Sequence, residues 1–234
     1  MYLPFISDKD LISAVDKVLA VMKKANSDAE KKLYKNVIDP FSAIFDGVFQ
    51  GLDLRDWLKL ERTRQIQKSM QNSIGDFHQD VIGSIKNWEN LGTGGFLDVR
   101  NKGRKIVAEI KNKFNTTKGD HKVKIYENLY YYLKEPENDG YTGYYVEIIP
   151  KGRKTYDKPF TPSDNQTHLQ RAPNKRIRQI DGKSFYEMAA GYPDALKDLY
   201  LILSKIICQR LDKEIDEEGC TEYFTDLFNK VYEF

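Results

Sequence analysis

The sequence predicts an α/β (α+β) fold, in which helices flank a mixed β-sheet and a helical N-terminal region comes first. Three observations predict it. Apolar residues recur at helical spacing through residues 1–70. A β-hairpin pattern follows at 96–113, and a second alternating run occupies 141–149. Helical patterns lie between and after these strands, which is the order expected of a mixed sheet covered by helices.

Length and composition allow one large domain, or one domain with an appendage. The chain has 234 residues, of which 40% are hydrophobic, enough for a sizeable core. We divide it into two parts. The first is a helical region at 1–70, which would serve as a scaffold or a subunit contact, and the second is a core at 71–234. Residues 151–180 would form a long recognition loop in that core, and helices would follow the loop to the C-terminus.

Charge is distributed unevenly, although the formal net charge is only +2. Eight Lys and Arg residues lie between positions 101 and 124, and nine lie between 151 and 183. The tail at 212–234 is acidic. Lys-rich loops are often merely solvated, but two basic segments in the middle of the chain are typical of a protein that binds a polyanion.

Several classes of protein are disfavoured. The two cysteines, Cys208 and Cys220, do not form a metal-binding set. The start of the chain shows no secretory signal, and no apolar run is long enough to span a membrane. We therefore expect a cytoplasmic protein with no membrane partner.

The spacing of apolar residues in the N-terminal region predicts helices at 8–22, 41–49 and 52–70, followed by a helix at 72–88. In that last helix, His78 lies within the apolar stripe and is predicted to be a core residue. Gln79 and Asp80 lie on the borders of the stripe. A border position can reach a site at the edge of the sheet that the helix covers.

The hairpin at 96–113 carries the candidate chemistry. If Lys102 and Gly103 form a two-residue turn, Asn101 pairs with Arg104 and Asp98 lies opposite Val107. Alternation then places Asp98 on the same face as Glu109 and Lys111. The opposite face would be apolar. It would contain Leu97, Val99, Ile106, Ala108 and Ile110.

Two neighbouring carboxylates repel each other unless a cation lies between them. Mg²⁺ typically takes one or two carboxylates together with water and substrate oxygens. The backbone carbonyl of Ile110 would add a further oxygen ligand. Lys111 would orient the attacking water and offset negative charge on phosphorus. A Glu-x-Lys triplet alone is a very weak signal, but its pairing with Asp98 and the flanking basic segments favour a site that hydrolyses phosphodiesters.

Beyond the hairpin, the pattern predicts a helix at 122–134, a strand at 141–149 and a short strand at 177–180. Helices follow at 184–190, 195–211 and 221–232. The irregular stretch at 151–179 is rich in arginine, which offers a bidentate fork to phosphates and guanine edges. From charge and position we expect DNA contacts from ten residues: Lys113, Asn115, Lys118, Lys151, Arg153, Lys154, Arg171, Lys175, Arg176 and Arg178.

Asp98 followed by Glu109-Ile110-Lys111 resembles the PD-(D/E)XK nuclease motif. Around it, the chain resembles a family of type II restriction endonucleases that cut GGNCC and GGWCC sites. The similar stretches are Ile74–Gln79, Leu97–Asn101, Val107–Thr116, Gly143–Pro150, Pro159–Ser163 and Ile180–Glu187. They cover roughly residues 74–203. The motif's proline is replaced by Leu97, as is common in such nucleases.

The resemblance implies a restriction-endonuclease-like core and an Mg²⁺-dependent enzyme acting on double-stranded DNA. Asp98 and Glu109 would be metal ligands, Lys111 the catalytic lysine, and Gln79 a polar residue completing the site. A palindromic target would be matched by a homodimer, and a DNA methyltransferase would be the genetic partner. Two alternatives remain open: a repair or junction nuclease that recognises DNA shape, and a DNA-binding module without catalysis.

Overall fold

The computed structural model describes residues 1–32, 38–92, 95–152, 154–164, 169–213 and 217–232. The chain divides into two compact units. One contains Asp16–Phe77; the other contains Met1–Val15 together with His78–Phe234. The helices are α1 (Asp8–Lys32), α2 (Pro40–Gln50), α3 (Leu54–Gly83), α4 (Gly119–Lys134), α5 (Gly182–Ala190), α6 (Ala195–Leu211) and α7 (Glu217–Tyr232).

Six strands form one mixed sheet within the described ranges, which confirms the predicted fold class. They are β1 (Trp88–Asn90), β2 (Val99–Asn101), β3 (Ile106–Lys113), β4 (Thr142–Ile149), β5 (Asp157–Pro159) and β6 (Ile177–Asp181). Their order is β1-β2-β3-β4-β6-β5. The central strands β3, β4 and β6 are parallel, and the outer neighbours are antiparallel. No helix in the described part of the chain is long and apolar enough to cross a membrane.

Helix α4 packs on one face of the sheet. A Cβ atom added to Gly143 of β4 would lie only 2.8 Å from a methyl carbon of Leu129, so the glycine permits this close approach. The core on this side is a cluster of buried residues from the sheet, α4 and the loops beside them. Its members are Leu97, Val107, Ile125, Tyr126, Leu129, Leu133, Tyr141, Tyr145, Phe160 and Ile177.

Helix α5 contributes to a second aromatic cluster. The ring centroid of Phe185 lies 5.5 Å from that of Trp88 in β1 and 6.0 Å from that of Tyr144 in β4. His78 Nδ1 lies 2.8 Å from the Tyr186 hydroxyl. Burial lowers the pKa of His78 to about 4, because the charged form would lose its hydration. His78 is therefore a neutral core residue, as predicted.

Two predictions about elements before the hairpin were wrong. The helices expected at 52–70 and 72–88 are one continuous helix, α3, which ends at Gly83. Trp88 belongs to a short strand rather than to a helix. The chain turns back at Asn87, whose φ is 70°. A Cβ atom on Gly83 would lie 2.6 Å from the Asn90 Cβ, so this glycine lets β1 return close to the end of α3.

The hairpin prediction was partly wrong. Asn101 pairs with Ile106 rather than Arg104, and Val99 pairs with Ala108. The turn therefore contains four residues, 102–105; the Asn101 side chain accepts a hydrogen bond from the Arg104 N–H inside it. The register differs from the predicted one by two residues. An even shift preserves which residues share a face.

The predicted face of Leu97 was also wrong. Leu97 packs in the cluster that contains Val107 and Tyr145, rather than with Val99 and Ala108 on the opposite face. The reason is that β2 begins only at Val99, so strict alternation does not extend back to Leu97.

Candidate active site

Strand β3 presents Glu109 and Lys111 on one face of the sheet. Lys111 Nζ lies 2.6 Å from Glu109 Oε1. The Glu109 side chain is 12% exposed and that of Lys111 is 24% exposed. This ion pair is largely, but not fully, removed from water, so solvent screens it only in part. Ile110, between them, points to the other face and is buried.

Asp98 is held against β3 by its backbone and its side chain. Its N–H donates to the Ala108 carbonyl at 3.0 Å, and its carbonyl accepts from the Leu91 N–H at 2.8 Å. Its carboxylate Oδ2 accepts from the Ile110 N–H at 2.6 Å. The Asp98 N–H and carboxylate therefore bond Ala108 and Ile110, the residues on either side of Glu109. The structure thus brings together Asp98, Glu109 and Lys111.

The carbonyl of Ile110 lies on the Asp98 side of β3. In a strand, the N–H and C=O of one residue point to the same side, and the Ile110 N–H meets the Asp98 carboxylate. Strand β2 begins only at Val99. Val99 pairs with Ala108, so Ile110 lies beyond the β2 pairing and has no paired residue in that strand.

These oxygen donors fit a hard divalent ion. Asp98 and Glu109 offer carboxylates and Ile110 offers a carbonyl, the ligand types that Mg²⁺ prefers. Within the described ranges, no three His, Cys, Asp or Glu side chains converge on one metal position. Mg²⁺ typically takes one or two protein carboxylates, with water and substrate oxygens as its other ligands. Formally, Asp98, Glu109 and Lys111 carry one net negative charge, which a divalent cation reverses.

A second, buried carboxylate lies beside this cluster and was not predicted as part of the site. Lys111 pairs with Glu147 of β4 in the sheet register, and Glu147 is 2% exposed. Its oxygens accept from Lys122 Nζ at 2.9 Å, the Tyr156 hydroxyl at 2.5 Å and Gln179 Nε2 at 2.9 Å. A buried carboxylate needs such donors. Burial first, and then the bond to Glu147, raise the pKa of Tyr156.

Two hydroxyl groups are buried near the same carboxylates. Tyr145, opposite Glu109 in the register, is fully buried, and Thr117 is nearly so. In the described part of the chain, neither hydroxyl makes a hydrogen bond of normal geometry. Burial, together with the negative charges of Glu147 and Glu109, raises the pKa of Tyr145. Tyr145 therefore stays neutral at physiological pH and adds no charge to the site.

Part of the predicted DNA-binding set lies at the same end of the sheet as Glu109 and Lys111. Lys113 ends β3, Asn115 and Lys118 follow it, and Lys151 and Lys154 follow β4. Since β3 and β4 are parallel, the segments after them leave the same edge of the sheet. Lys118 is also the residue that precedes α4. Arg153 lies outside the described residues.

The other four predicted DNA-binding residues are not at this end of the sheet. They are Arg171, Lys175, Arg176 and Arg178. Arg176 and Lys175 precede β6, at the end of the sheet where Gly143 donates to the Arg176 carbonyl. That end is four residues from the level of Lys111, roughly 13 Å along a strand. Arg171 pairs with Glu127 at 2.5 Å, and Arg178 with Asp157 at 2.5 Å. These ion pairs would compete with phosphate for both guanidinium groups.

Gln79 is half-buried in the last turns of α3. The next residue, Asp80, accepts a hydrogen bond from Asn90 of β1 at 3.0 Å. This contact ties the helix end to a strand two positions away from β3 in the sheet. The contact is made by Asp80 and not by Gln79, so a catalytic role for Gln79 remains a prediction.

Comparison with known proteins gives consistent findings. The model of the Eco47II restriction endonuclease family matches residues 3–212. Type II restriction enzyme Eco47II from Escherichia coli is 38% identical over 233 residues, covering 98% of this chain and 97% of that enzyme. Type II restriction enzyme Sau96I from Staphylococcus aureus is 33% identical over 202 residues, covering 85% of this chain and 77% of that enzyme.

Proposed function

Because this chain belongs to the Eco47II restriction endonuclease family, we propose that Asp98, Glu109 and Lys111 hydrolyse phosphodiester bonds in both strands of a short palindromic DNA site. The chain is a type II restriction enzyme, a site-specific deoxyribonuclease that acts on double-stranded DNA. The observation that carries the site assignment is the bond from the Ile110 N–H to the Asp98 carboxylate. It joins Asp98 to the Glu109-Ile110-Lys111 segment.

Asp98, Glu109 and the Ile110 carbonyl would hold Mg²⁺. When bound, this ion would supply a Lewis acid beside the scissile phosphate. The partly buried Glu109–Lys111 pair keeps the ammonium group of Lys111 next to the same space. From there, Lys111 orients the attacking water and offsets the negative charge that develops on the phosphorus oxygens. The reaction forms one phosphorus–oxygen bond to water and breaks one to the leaving nucleotide oxygen, which takes up a proton.

DNA would be held chiefly by phosphate contacts from Lys113, Asn115, Lys118, Lys151 and Lys154, which lie at the site's edge of the sheet. Such contacts position a duplex without reading its sequence. The proposed targets are GGNCC or GGWCC. A palindromic site and two cuts imply a homodimer. The proposal also includes a cytoplasmic location and a cognate DNA methyltransferase, since the host's own sites need protection.

The proposal is tested by digesting a plasmid of known sequence with the purified protein in magnesium, and by mapping the fragment ends. We expect discrete fragments with both strands cut at one short symmetric sequence, and no cleavage after chelation of the metal. Cutting without sequence preference would indicate the shape-specific nuclease instead. Salt-sensitive DNA binding with no metal-dependent cleavage would indicate a binding module and refute the proposal.

A further inference from the structure

Helix α2 (Pro40–Gln50) exposes a continuous apolar stripe. Phe41, Ile44, Phe45, Val48 and Phe49 are between 64% and 90% exposed, and we call them the α2 face. Their spacing is that of the buried stripe of an amphipathic helix, at positions i, i+3, i+4, i+7 and i+8. Leu54, at the start of α3, is 70% exposed as well. In this unit, a stripe that normally faces a core faces outward.

The opposite side of α2 explains why the helix presents this face. Asp46 accepts a hydrogen bond from Trp57 Nε1 at 3.1 Å and also pairs with Arg64. Gly47 is buried, and a Cβ atom there would lie 4.0 Å from Trp57 Cδ1. Both contacts lie within the unit Asp16–Phe77. Helix α2 is therefore attached to α3 through its polar side, and the apolar side remains exposed.

The ends of α2 are well formed. The Asp39 side chain accepts from the Phe41 N–H at 3.0 Å, as expected of an N-cap. Gly51 ends the helix in the left-handed conformation, with φ of 65°. A capped helix whose polar side is bonded to α3 is a defined surface, so the exposed stripe is a feature of the folded unit.

The size of the α2 face suits a protein interface. With Leu54, these side chains expose on the order of 700 Å² of apolar surface, since large side chains each contribute roughly 150 Å² or more. Monomeric proteins rarely expose apolar patches larger than a few hundred square ångströms. A standard interface buries about 800 Å² on each partner. The patch is thus close to one partner's share of a stable complex.

The lack of charge on the α2 face favours a second copy of this chain as its partner. The one charged residue of α2 is Asp46, and it is engaged on the polar side. In a two-fold contact the same surface lies on both partners, so residues near the axis meet their own copies. A charged residue near the axis would face the identical charge of the other copy and be repelled by it. The uncharged α2 face meets this requirement, whereas it offers no charge by which a different partner would be selected.

We propose that the α2 face is the two-fold contact between two copies of this chain. The inference deepens the proposed function and rests on it in one respect: cutting both strands of a palindromic site calls for two catalytic units. In this arrangement, the helical unit at Asp16–Phe77 assembles the dimer, while Asp98, Glu109 and Lys111 belong to the other unit.

The first test changes the face in the full-length protein. The variant Phe45→Asp/Phe49→Asp places charges where two copies would meet. We expect wild type to sediment as a dimer at micromolar concentration, and the variant to have a dimer dissociation constant at least about 100-fold higher. Its circular dichroism spectrum should match that of wild type, because the replaced side chains are exposed. The control Tyr131→Asp alters an exposed aromatic residue of α4 and should remain dimeric.

A second measurement separates a second copy from any other occupant. Ile44→Cys and Val48→Cys are made singly in a background with Cys208→Ser and Cys220→Ser, then treated with a flexible bis-maleimide. Covalent dimers from these variants, but not from Tyr131→Cys, support the proposal. A monomeric wild type, a dimeric Phe45→Asp/Phe49→Asp variant, or no covalent dimer from either cysteine variant would each overturn it. DNA cleavage by wild type is measured in parallel, so failure of the interface is distinguished from failure of the proposed function.

Discussion

Asp98→Asn is expected to lower the rate of DNA cleavage in magnesium by at least about 10²–10³-fold, a typical loss when one preorganised electrostatic contribution is removed. Asparagine has the shape of aspartate, and its side-chain oxygen can still accept the hydrogen bond from the Ile110 N–H. The local fold should therefore persist. What is lost is the negative charge that, with Glu109, would hold the metal ion.

The rate is measured in single turnover on a duplex that contains the mapped site, and DNA binding is measured by gel shift in calcium. The matched control is Glu137→Gln, which neutralises an exposed carboxylate in the short helical turn Pro136–Asn138. We expect the control to cut at the wild-type rate and Asp98→Asn to bind DNA without cutting it. Cleavage by Asp98→Asn at the wild-type rate would refute the site assignment.

Glu147→Ala is expected to lower the free energy of unfolding by about 2–4 kcal/mol, because the donors around this buried carboxylate lose the acceptor of their hydrogen bonds. The substitution leaves Lys122 Nζ, the Tyr156 hydroxyl and Gln179 Nε2 without the carboxylate that accepts their hydrogen bonds. For a chain of this size, that loss corresponds to a fall in melting temperature on the order of 10 °C. Urea unfolding followed by circular dichroism measures it.

The double variant Lys122→Met/Glu147→Leu is the matched comparison. It removes both charges and substitutes apolar side chains of similar volume, so part of the lost stability should return. Recovery of stability in the double variant would attribute the loss to the unpaired ammonium group of Lys122. If Glu147→Ala unfolded at the same urea concentration as wild type, the Glu147 network would contribute nothing to the fold.

The sequence predicted which residues of the hairpin share a face better than it predicted how they pair. Alternation of apolar and polar residues specifies a face, and an error of two residues in register leaves that face unchanged. The turn was predicted too short because the signal at Lys102-Gly103 marks a turn without fixing its length. The loop closes instead through the Asn101 side chain and through Lys105, whose φ is 52°.

Other features depend on contacts that no local pattern contains. Strand β1 has three residues, too few for a periodic signal. The donors to Glu147 come from α4, from β6 and from the segment before β5. One clue was available: Glu147 interrupts the apolar run of β4, where an unpaired charge would be costly. The stripe of α2 predicted a helix at 41–49, but periodicity alone does not say whether a stripe faces a core or a second molecule.

The most direct test of the account compares the cleavage rates of Asp98→Asn, Glu109→Gln and the double variant on one duplex in magnesium. If Asp98 and Glu109 hold the same ion, each single change removes the site's function, and the double variant should be no slower than either single variant. Two independent, multiplying losses would contradict a shared site. So would a single variant that cuts at the wild-type rate.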